Sequence, residues 1–379
     1  MSSLRRAWRL LAACLATAAY AADKPEILTP YIAHMFPAGG QRGTKVEALV
    51  CGSQLAGTTE ARILPAGVTA SIAKVEDATK VRVNLAIAPD AAIGEYELRL
   101  LTKAGASNRF RFFVGDLPEL TETEPNNTAD TAQKVALPML VNGQVMEKDQ
   151  DWFRFTAKAG TTLVCDIAAR AIIPYIADAV PGWFDAVLTL RDAGGHQVAS
   201  VDDVRLWPDP RILLPITQDG EYTLQVTDIL SRGRADFVYR LSLGALPRVT
   251  SIYPLGGPAG ASTPIALFGA NLAQRTAKVD VPANGSGLAW VTTEAGGTQS
   301  NAMPFAISDT PEGSDTEPND SREAAQPVTL PITLNGRIDK PGDLDWFTFA
   351  ATKGQKLALE VTARRLMSPL DSMLSLFDA

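Results

Sequence analysis

In several stretches of this chain the apolar residues recur at every second position. Val81, Val83, Leu85 and Ile87 form one such run, and Tyr96, Leu98 and Leu100 another. Tyr222, Leu224 and Val226 repeat the pattern, as do Tyr239, Leu241 and Leu243, with polar or charged residues interleaved. A period of two sends one set of side chains to one face and predicts half-buried antiparallel strands. Asp192-Ala193-Gly194-Gly195 and Asp219-Gly220 supply turn chemistry between strands. No long helical period appears, and only 128–134 suits a short helical turn. The prediction is an all-β chain of antiparallel β-sandwich modules in tandem.

The chain also repeats itself. Glu122-Thr123-Glu124-Pro125-Asn126-Asn127 leads through Gly143 to Asp149-Gln150-Asp151-Trp152-Phe153. Asp315-Thr316-Glu317-Pro318-Asn319-Asp320 leads through Gly336 to Asp343-Leu344-Asp345-Trp346-Phe347. The copies lie 193 residues apart at Glu-Pro-Asn and 194 apart at Asp-Trp, too long a period for a solenoid and suited to tandem domains. A second match pairs the segment from Pro30 to Gly40 with that from Pro247 to Gly257, and Gly43, Gly52 and Leu55 with Gly260, Gly269 and Leu272. Its offset of 217 falls to 193 by Ser107-Asn108 against Ser300-Asn301. The second copy has therefore lost a stretch, expected to be the one holding the Val81–Ile87 alternation.

The first residues read as a secretory signal, with Arg5, Arg6 and Arg9 ahead of an apolar run and Ala19-Tyr20-Ala21 as a small-x-small cleavage site. That run is too short to span a bilayer. A secreted, periplasmic or cell-surface location is expected, with no membrane insertion after cleavage. The net charge of −7, about −10 without the signal, disfavours nucleic acid as a partner. Cys51 and Cys165 align with Phe268 and Leu359, so both are expected as buried free thiols. The two histidines, His34 and His196, have no metal-ligand spacing, and no Gly-x-Ser-x-Gly, His-Glu-x-x-His or phosphate-cradling glycine loop occurs. A non-catalytic chain is expected.

The run from Glu124-Pro125-Asn126 through Gly143, Asp149-x-Asp151-Trp152-Phe153, Gly160, Asp185, Gly220-Glu221-Tyr222 and Tyr239-Arg240-Leu241 resembles the bacterial pre-peptidase C-terminal (PPC) domain. The second copy follows it through Glu317-Pro318-Asn319, Asp343-x-Asp345-Trp346, Gly354 and Asp371. The Pro-Gly-Gly and Gly-x-x-Leu signals of the segments ahead resemble IPT/TIG-type immunoglobulin-like modules. After the signal peptide over 1–21, the resemblance implies an IPT/TIG-like sandwich over 22–117, a PPC-like sandwich over 118–246, a shortened IPT/TIG-like module over 247–312 and a truncated second PPC-like domain over 313–379. The first copy runs on well beyond the position matching Ala379, so the sequence reads as ending inside a domain. Such modules accompany proteases but lend no catalytic residues.

Residues two apart on an extended segment project to one side. Glu122, Glu124 and Asn126, with Asn127 nearby, would thus offer oxygens on one face, and Asp149 and Asp151 could close a cage. The second copy offers Asp315, Glu317, Asn319, Asp320, Asp343 and Asp345. Ca2+ takes six to eight oxygen ligands, and domains resembling this family bind it through such an acidic linker and Asp pair. The competing reading makes Asn126 or Asn127 a cap of the short helical turn and the Asp pair turn residues. Trp152 and Trp346 are expected in the core. The longer loop from Ile172 to Phe184, rich in apolar and aromatic residues, is either a partner surface or folded back over the sandwich. The expected function is exported binding or spacing through PPC modules stabilised by Ca2+, with an extracellular polymer or surface protein as partner. The alternative is an accessory region of a secreted hydrolase whose catalytic domain lies outside this chain.

Overall fold

The computed structural model describes residues 29–174, 183–204 and 207–378, and the chain divides into two compact units, up to Val114 and from Gly115 onward. The signal segment lies outside the described residues. Strands make up nearly every regular element, with two 3-10 turns at Arg322–Ala324 and Arg364–Leu366.

In the first unit, one sheet orders Tyr31–Phe36, Lys45–Ser53, Lys80–Ile87 and Val68–Val75. A second orders Gly39–Gln41, Phe110–Gly115, Gly94–Thr102 and Glu60–Leu64. Lys80–Ile87 buries Val81, Val83, Leu85 and Ile87, the set its alternation selects. The pairing of Tyr31–Phe36 with Lys45–Ser53 slips between Ile32 and His34. Gly52 lies opposite the slip, where a Cβ would stand 2.9 Å from the Tyr31 carbonyl carbon. Asn108 repairs the bulge, accepting from the Ile32 N–H (2.7 Å) and donating to the Ile32 C=O (3.0 Å). Gly269 and Asn301 play the same parts at Val249, which accounts for the repeated Gly and Ser-Asn.

The second unit opens with two five-stranded sheets. One orders Glu119–Thr121, Met139–Gln144, Val238–Gly244, Thr162–Ala168 and Arg211–Pro215. The other orders Gln133–Lys134, Asp151–Ala157, Gly220–Asp228, Ala186–Arg191 and Gln197–Val201. Phe153, Phe155, Leu188, Leu224, Val226, Leu241 and Leu243 belong to the core these strands enclose. Two pairings depart from the antiparallel expectation: Glu119–Thr121 runs parallel to Met139–Gln144, and Gln133–Lys134 parallel to Asp151–Ala157. Val238–Gly244 is also buried on both faces. Arg240, expected on the wet face, is 5% exposed, because Glu119 and Asn142 meet its guanidinium there. Beside them, Leu117, Leu140, Val164 and Leu246 form a small separate cluster.

Two three-stranded sheets follow. Arg248–Tyr253, Ser262–Ala270 and Thr276–Asp280 make one; Gly256–Pro258, Met303–Ser308 and Gly287–Val291 make the other. Thr276–Asp280 pairs with Ser262–Ala270 as Lys80–Ile87 pairs with Lys45–Ser53. The expectation that the second copy lost the Lys80–Ile87 stretch is therefore wrong. The missing strands are those equivalent to Glu60–Leu64 and Val68–Val75, which sit at sheet edges and can be dropped without opening either sheet's middle. From Glu312 on, the strands come as two-stranded pairs. Leu163, Cys165 and Ile167 are capped by neighbouring strands, whereas their counterparts Leu357, Leu359 and Val361 stay 37–42% exposed.

Both thiols are free, but only Cys165 is fully buried; Cys51 is half-buried, and its counterpart Phe268 is exposed. The core expectation therefore fails at that position, because the residue faces the rim beside Lys80, Asp77 and Glu76. Burial raises both thiol pKa values, that of Cys165 far more strongly. Iodoacetamide is expected to label Cys51 first and Cys165 only after urea denaturation, as peptide mass analysis would report. Labelling of Cys165 in the native chain would contradict this core. The Ile172–Phe184 loop has buried ends: Ile172, Trp183 and Phe184 are all under a tenth exposed, and Phe184 stacks on Phe237 at 5.2 Å. Its middle, 175–182, lies outside the described residues. Among the described residues no helix is long and apolar enough to cross a membrane.

Candidate metal centre

The linker ahead of the first large sandwich is pinned at several points. The Thr123 N–H donates to Gln133 Oε1 (2.8 Å), and the Trp152 N–H donates to the Asn126 carbonyl (2.9 Å). The second repeat uses the same bonds, Thr316 to Gln326 (2.8 Å) and Trp346 to Asn319 (3.0 Å). These ties draw the Glu-Pro-Asn segment against the start of the Asp-Trp strand. Glu122, Glu124 and Asp151 consequently converge, with one oxygen of each within 4.8 Å of the others.

Asp151 is fully buried. Its Oδ2 accepts from the Tyr239 hydroxyl at 2.5 Å, and its Oδ1 has no hydrogen-bond partner among the described residues. Glu122 Oε1 accepts from the Gln144 N–H (2.5 Å), while Oε2 takes a longer bond from the same Tyr239 hydroxyl (3.2 Å). Glu124 Oε2 accepts from the Asn126 N–H (2.9 Å). Tyr239 reaches this point because Gly143 lies beside it across the sheet; a Cβ there would come within 2.6 Å of ring carbon Cε1.

Asn126 is completely buried, yet neither amide atom of its side chain has a partner among the described residues. It does not cap a helix. Residues 129–131 make a plain turn, closed by Thr128 and Thr131. In the second repeat Ser321 caps the 3-10 turn, and Asn319 is likewise buried with both amide atoms unpartnered. The capping interpretation of Asn126 therefore gives way: a hydroxyl two residues later serves, and the amides are left uncommitted.

Electrostatics marks the same spot. Burial, foremost, pushes the Glu122 carboxyl up to about 7. Burial and the neighbouring Glu122 charge raise Asp151 well above the carboxylate range. Burial raises the Glu124 carboxyl too, although it stays exposed, so the neutral form is favoured at the two carboxyls held away from water, Glu122 and Asp151. All the donors are oxygen, with carboxylates and an amide mixed and no His or Cys in the cluster, which fits a hard divalent cation. Asp149 and Asn127 are not in this triad. Asp149 accepts from the Met146 and Gln150 N–H groups in a tight turn, and Asn127 Oδ1 accepts from the Asn126 N–H at 3.2 Å.

The second repeat holds two overlapping triads, Asp315-Glu317-Asp345 and Glu317-Asp320-Asp343, with Glu317 common to both. Burial, and next the Asp315 charge, push Asp345 up to about 6. The Lys340 ammonium stands 3.1 Å from Asp320 and 3.6 Å from Asp343, so the second triad already has one positive charge beside it. No sequence pattern singles out Lys340, or marks Tyr239 as a donor rather than simple core. Trp152 is buried, whereas Trp346 is half-buried and stacks on Phe377 (5.3 Å). His196 is exposed against Asp192 and has no part in any of these clusters.

No known protein-family model matches the sequence. One curated relative, a probable subtilase-type serine protease of Deinococcus radiodurans, is 32% identical over 126 residues, spanning 32% of this chain and 16% of the relative. Among solved structures, SGBP-B of the Bacteroides ovatus mixed-linkage glucan utilization locus, in complex with a mixed-linkage heptasaccharide, matches at 10% identity and a TM-score of 0.19, over 55% of this chain and 72% of that one. The secreted serine protease VesC from Vibrio cholerae matches at 9% identity and a TM-score of 0.20, over 54% and 47%. Scores this low speak to neither ligand nor activity. The chain thus shares one stretch with a subtilase-type protease far longer than that stretch, and is otherwise characterised by its own tandem β architecture.

Proposed function

We propose that this chain is an exported, non-catalytic string of β-sandwich modules that binds or spaces components outside the cytoplasm, and that Ca2+ stiffens its acidic linkers. One observation carries the reading. Each repeat gathers carboxylates beside a fully buried asparagine, whose main-chain N–H binds a glutamate of the cluster and whose side-chain amide has no partner among the described residues, and each holds an aspartate oxygen, on Asp151 or Asp345, in the same condition. Unsatisfied buried polar atoms are costly. A cation at the cluster would satisfy them and offset the carboxylate repulsion. Glu122, Glu124, Asp151 and the Asn126 amide would hold it in the first repeat. Asp315, Glu317, Asp345 and the Asn319 amide would do so in the second, with Asp320 and Asp343 as a further lobe. Because these donors come from both linker and sandwich, a bound ion would fix the angle at which the linker leaves.

Calorimetric titration of the chain with CaCl2 tests this. Saturable binding is expected, reduced by one site in Asp151→Asn and abolished in Asp151→Asn/Asp345→Asn. At about a hundredfold excess of Ca2+ over Kd, the ion would add roughly 2.7 kcal/mol of stability. Equal heats from all three chains would remove these residues from any cation site. The alternative of an accessory region to a secreted hydrolase is favoured by the 126-residue match to the subtilase-type protease. In either case the partner is taken to be an extracellular polymer or surface protein. The chain itself is expected to leave labelled casein uncut.

A further inference from the structure

We propose that Tyr253 is a positioning residue of the second cation site, so that occupancy of that site and docking of segment 248–308 against it strengthen one another. The proposal rests on the cation reading above and concerns a residue outside the acidic linker altogether. In the first repeat, Glu122 receives two donors, the Gln144 main-chain N–H and the Tyr239 hydroxyl. Asp315 stands at the matching place and receives the same two kinds of donor. The Arg337 main-chain N–H reaches its Oδ2 (3.1 Å), and a tyrosine hydroxyl reaches its Oδ1 (3.1 Å).

The tyrosine, however, has a different origin. Tyr239 belongs to the last strand of the repeat's own sandwich, whereas Tyr253 ends the first strand of the preceding segment, 62 residues before Asp315. Its hydroxyl also lies 3.1 Å from the Asn335 carbonyl, the Leu255 N–H donates to Asn335 Oδ1 (3.1 Å), and the Arg337 guanidinium sits over its ring at 4.7 Å. One phenol therefore joins the joint between two segments to a carboxylate of the cluster.

A ligand pull on this cluster has independent support. Asn319 is wholly buried, neither side-chain amide atom has a partner among the described residues, and its main chain is tied to the cluster through its N–H on Glu317 Oε2 (3.0 Å). Asp345 Oδ1 is likewise buried with no partner among the described residues. With one Asp315 oxygen turned by Tyr253 and the other by Arg337, the carboxylate plane is set before an ion arrives, which lowers the cost of ordering it. By linkage, whatever the docked segment adds to cation affinity, the cation returns to docking.

The test uses the full chain carrying Asp151→Asn, which leaves the second repeat to bind, with and without Tyr253→Phe. CaCl2 is titrated by calorimetry, and exchange of the Leu255 amide hydrogen is followed with and without the ion. Tyr253→Phe is expected to weaken Ca2+ at least about fivefold and to abolish the slowing of Leu255 exchange that Ca2+ produces in its parent. Asn335→Ala, which loosens the joint from the other side and keeps the phenol, is expected to weaken Ca2+ as well. Unchanged affinity in Tyr253→Phe overturns the proposal, even if Leu255 then exchanges faster throughout, because the hydroxyl would only be propping the joint. Binding by the unmodified chain but none by Asp151→Asn also overturns it while sparing the first site. No binding by any chain would sink the cation reading itself.

Discussion

Replacing Arg240 with Ala is expected to destabilise the first large sandwich by about 3–5 kcal/mol, the cost of stranding one partner of a buried ion pair. Arg240 and Glu119 are under a tenth exposed, and their side chains meet through two bonds of 2.7 and 3.0 Å. The same guanidinium donates to Asn142 Oδ1 at 2.8 Å. Without it, Glu119 would sit between strand and linker with no countercharge, and Asn142 would lose a partner. Arg240→Met with Glu119→Gln removes both charges and is expected to recover most of the loss, since an apolar replacement of a complete pair is often nearly neutral. Urea unfolding followed by tryptophan fluorescence measures the difference. A midpoint for Arg240→Ala indistinguishable from the parent would mean that the pair contributes nothing.

Gly143→Ala is the second large effect, expected to cost about 1–3 kcal/mol from overpacking alone and to remove the stabilisation by CaCl2 at the first site. The added Cβ would lie 2.6 Å from ring carbon Cε1 of Tyr239. The ring is wholly buried, so it cannot swing into solvent. Moving it would pull the hydroxyl from Asp151 and Glu122, which it holds at 2.5 and 3.2 Å. Tyr239→Phe, which deletes the hydroxyl and leaves the ring in place, is expected to be milder. Thermal unfolding of each variant in CaCl2 and in EDTA separates the packing loss from the loss of cation response. An alanine variant still stabilised by Ca2+ as the parent is would disconnect Gly143 from the site.

Much of the strand pattern was legible because alternation is local. Val81 to Ile87 and Tyr96 to Leu100 face inward as their spacing demands. The internal repeat does more, since positions kept in two diverged copies point to Glu124, Asp151 and Gly143 from the sequence alone. What escaped was long-range. Tyr239 contacts Glu122 across 117 residues and Asp151 across 88, and its period-two neighbours mark it only as core. Arg240 looked solvated because no window of sequence shows that the linker strand covers that face. Asp149 shared the motif of Asp151, yet tight turns accept hydrogen bonds with the same carboxylate a metal would take. The turn after the asparagine pair is legible in the sequence, but not that Thr128 and Ser321 close it and leave the amides without partners among the described residues.

The small cluster of Leu117, Leu140, Val164 and Leu246 has a geometric consequence. Leu117 precedes the first strand of the ten-stranded sandwich and Leu246 follows its last, so the polypeptide arrives and departs side by side. Domains whose ends are neighbours can be inserted or excised with little disturbance to the rest. Tension along the backbone would pass from Leu117 to Leu246 almost directly, leaving the bulk of that sandwich slack.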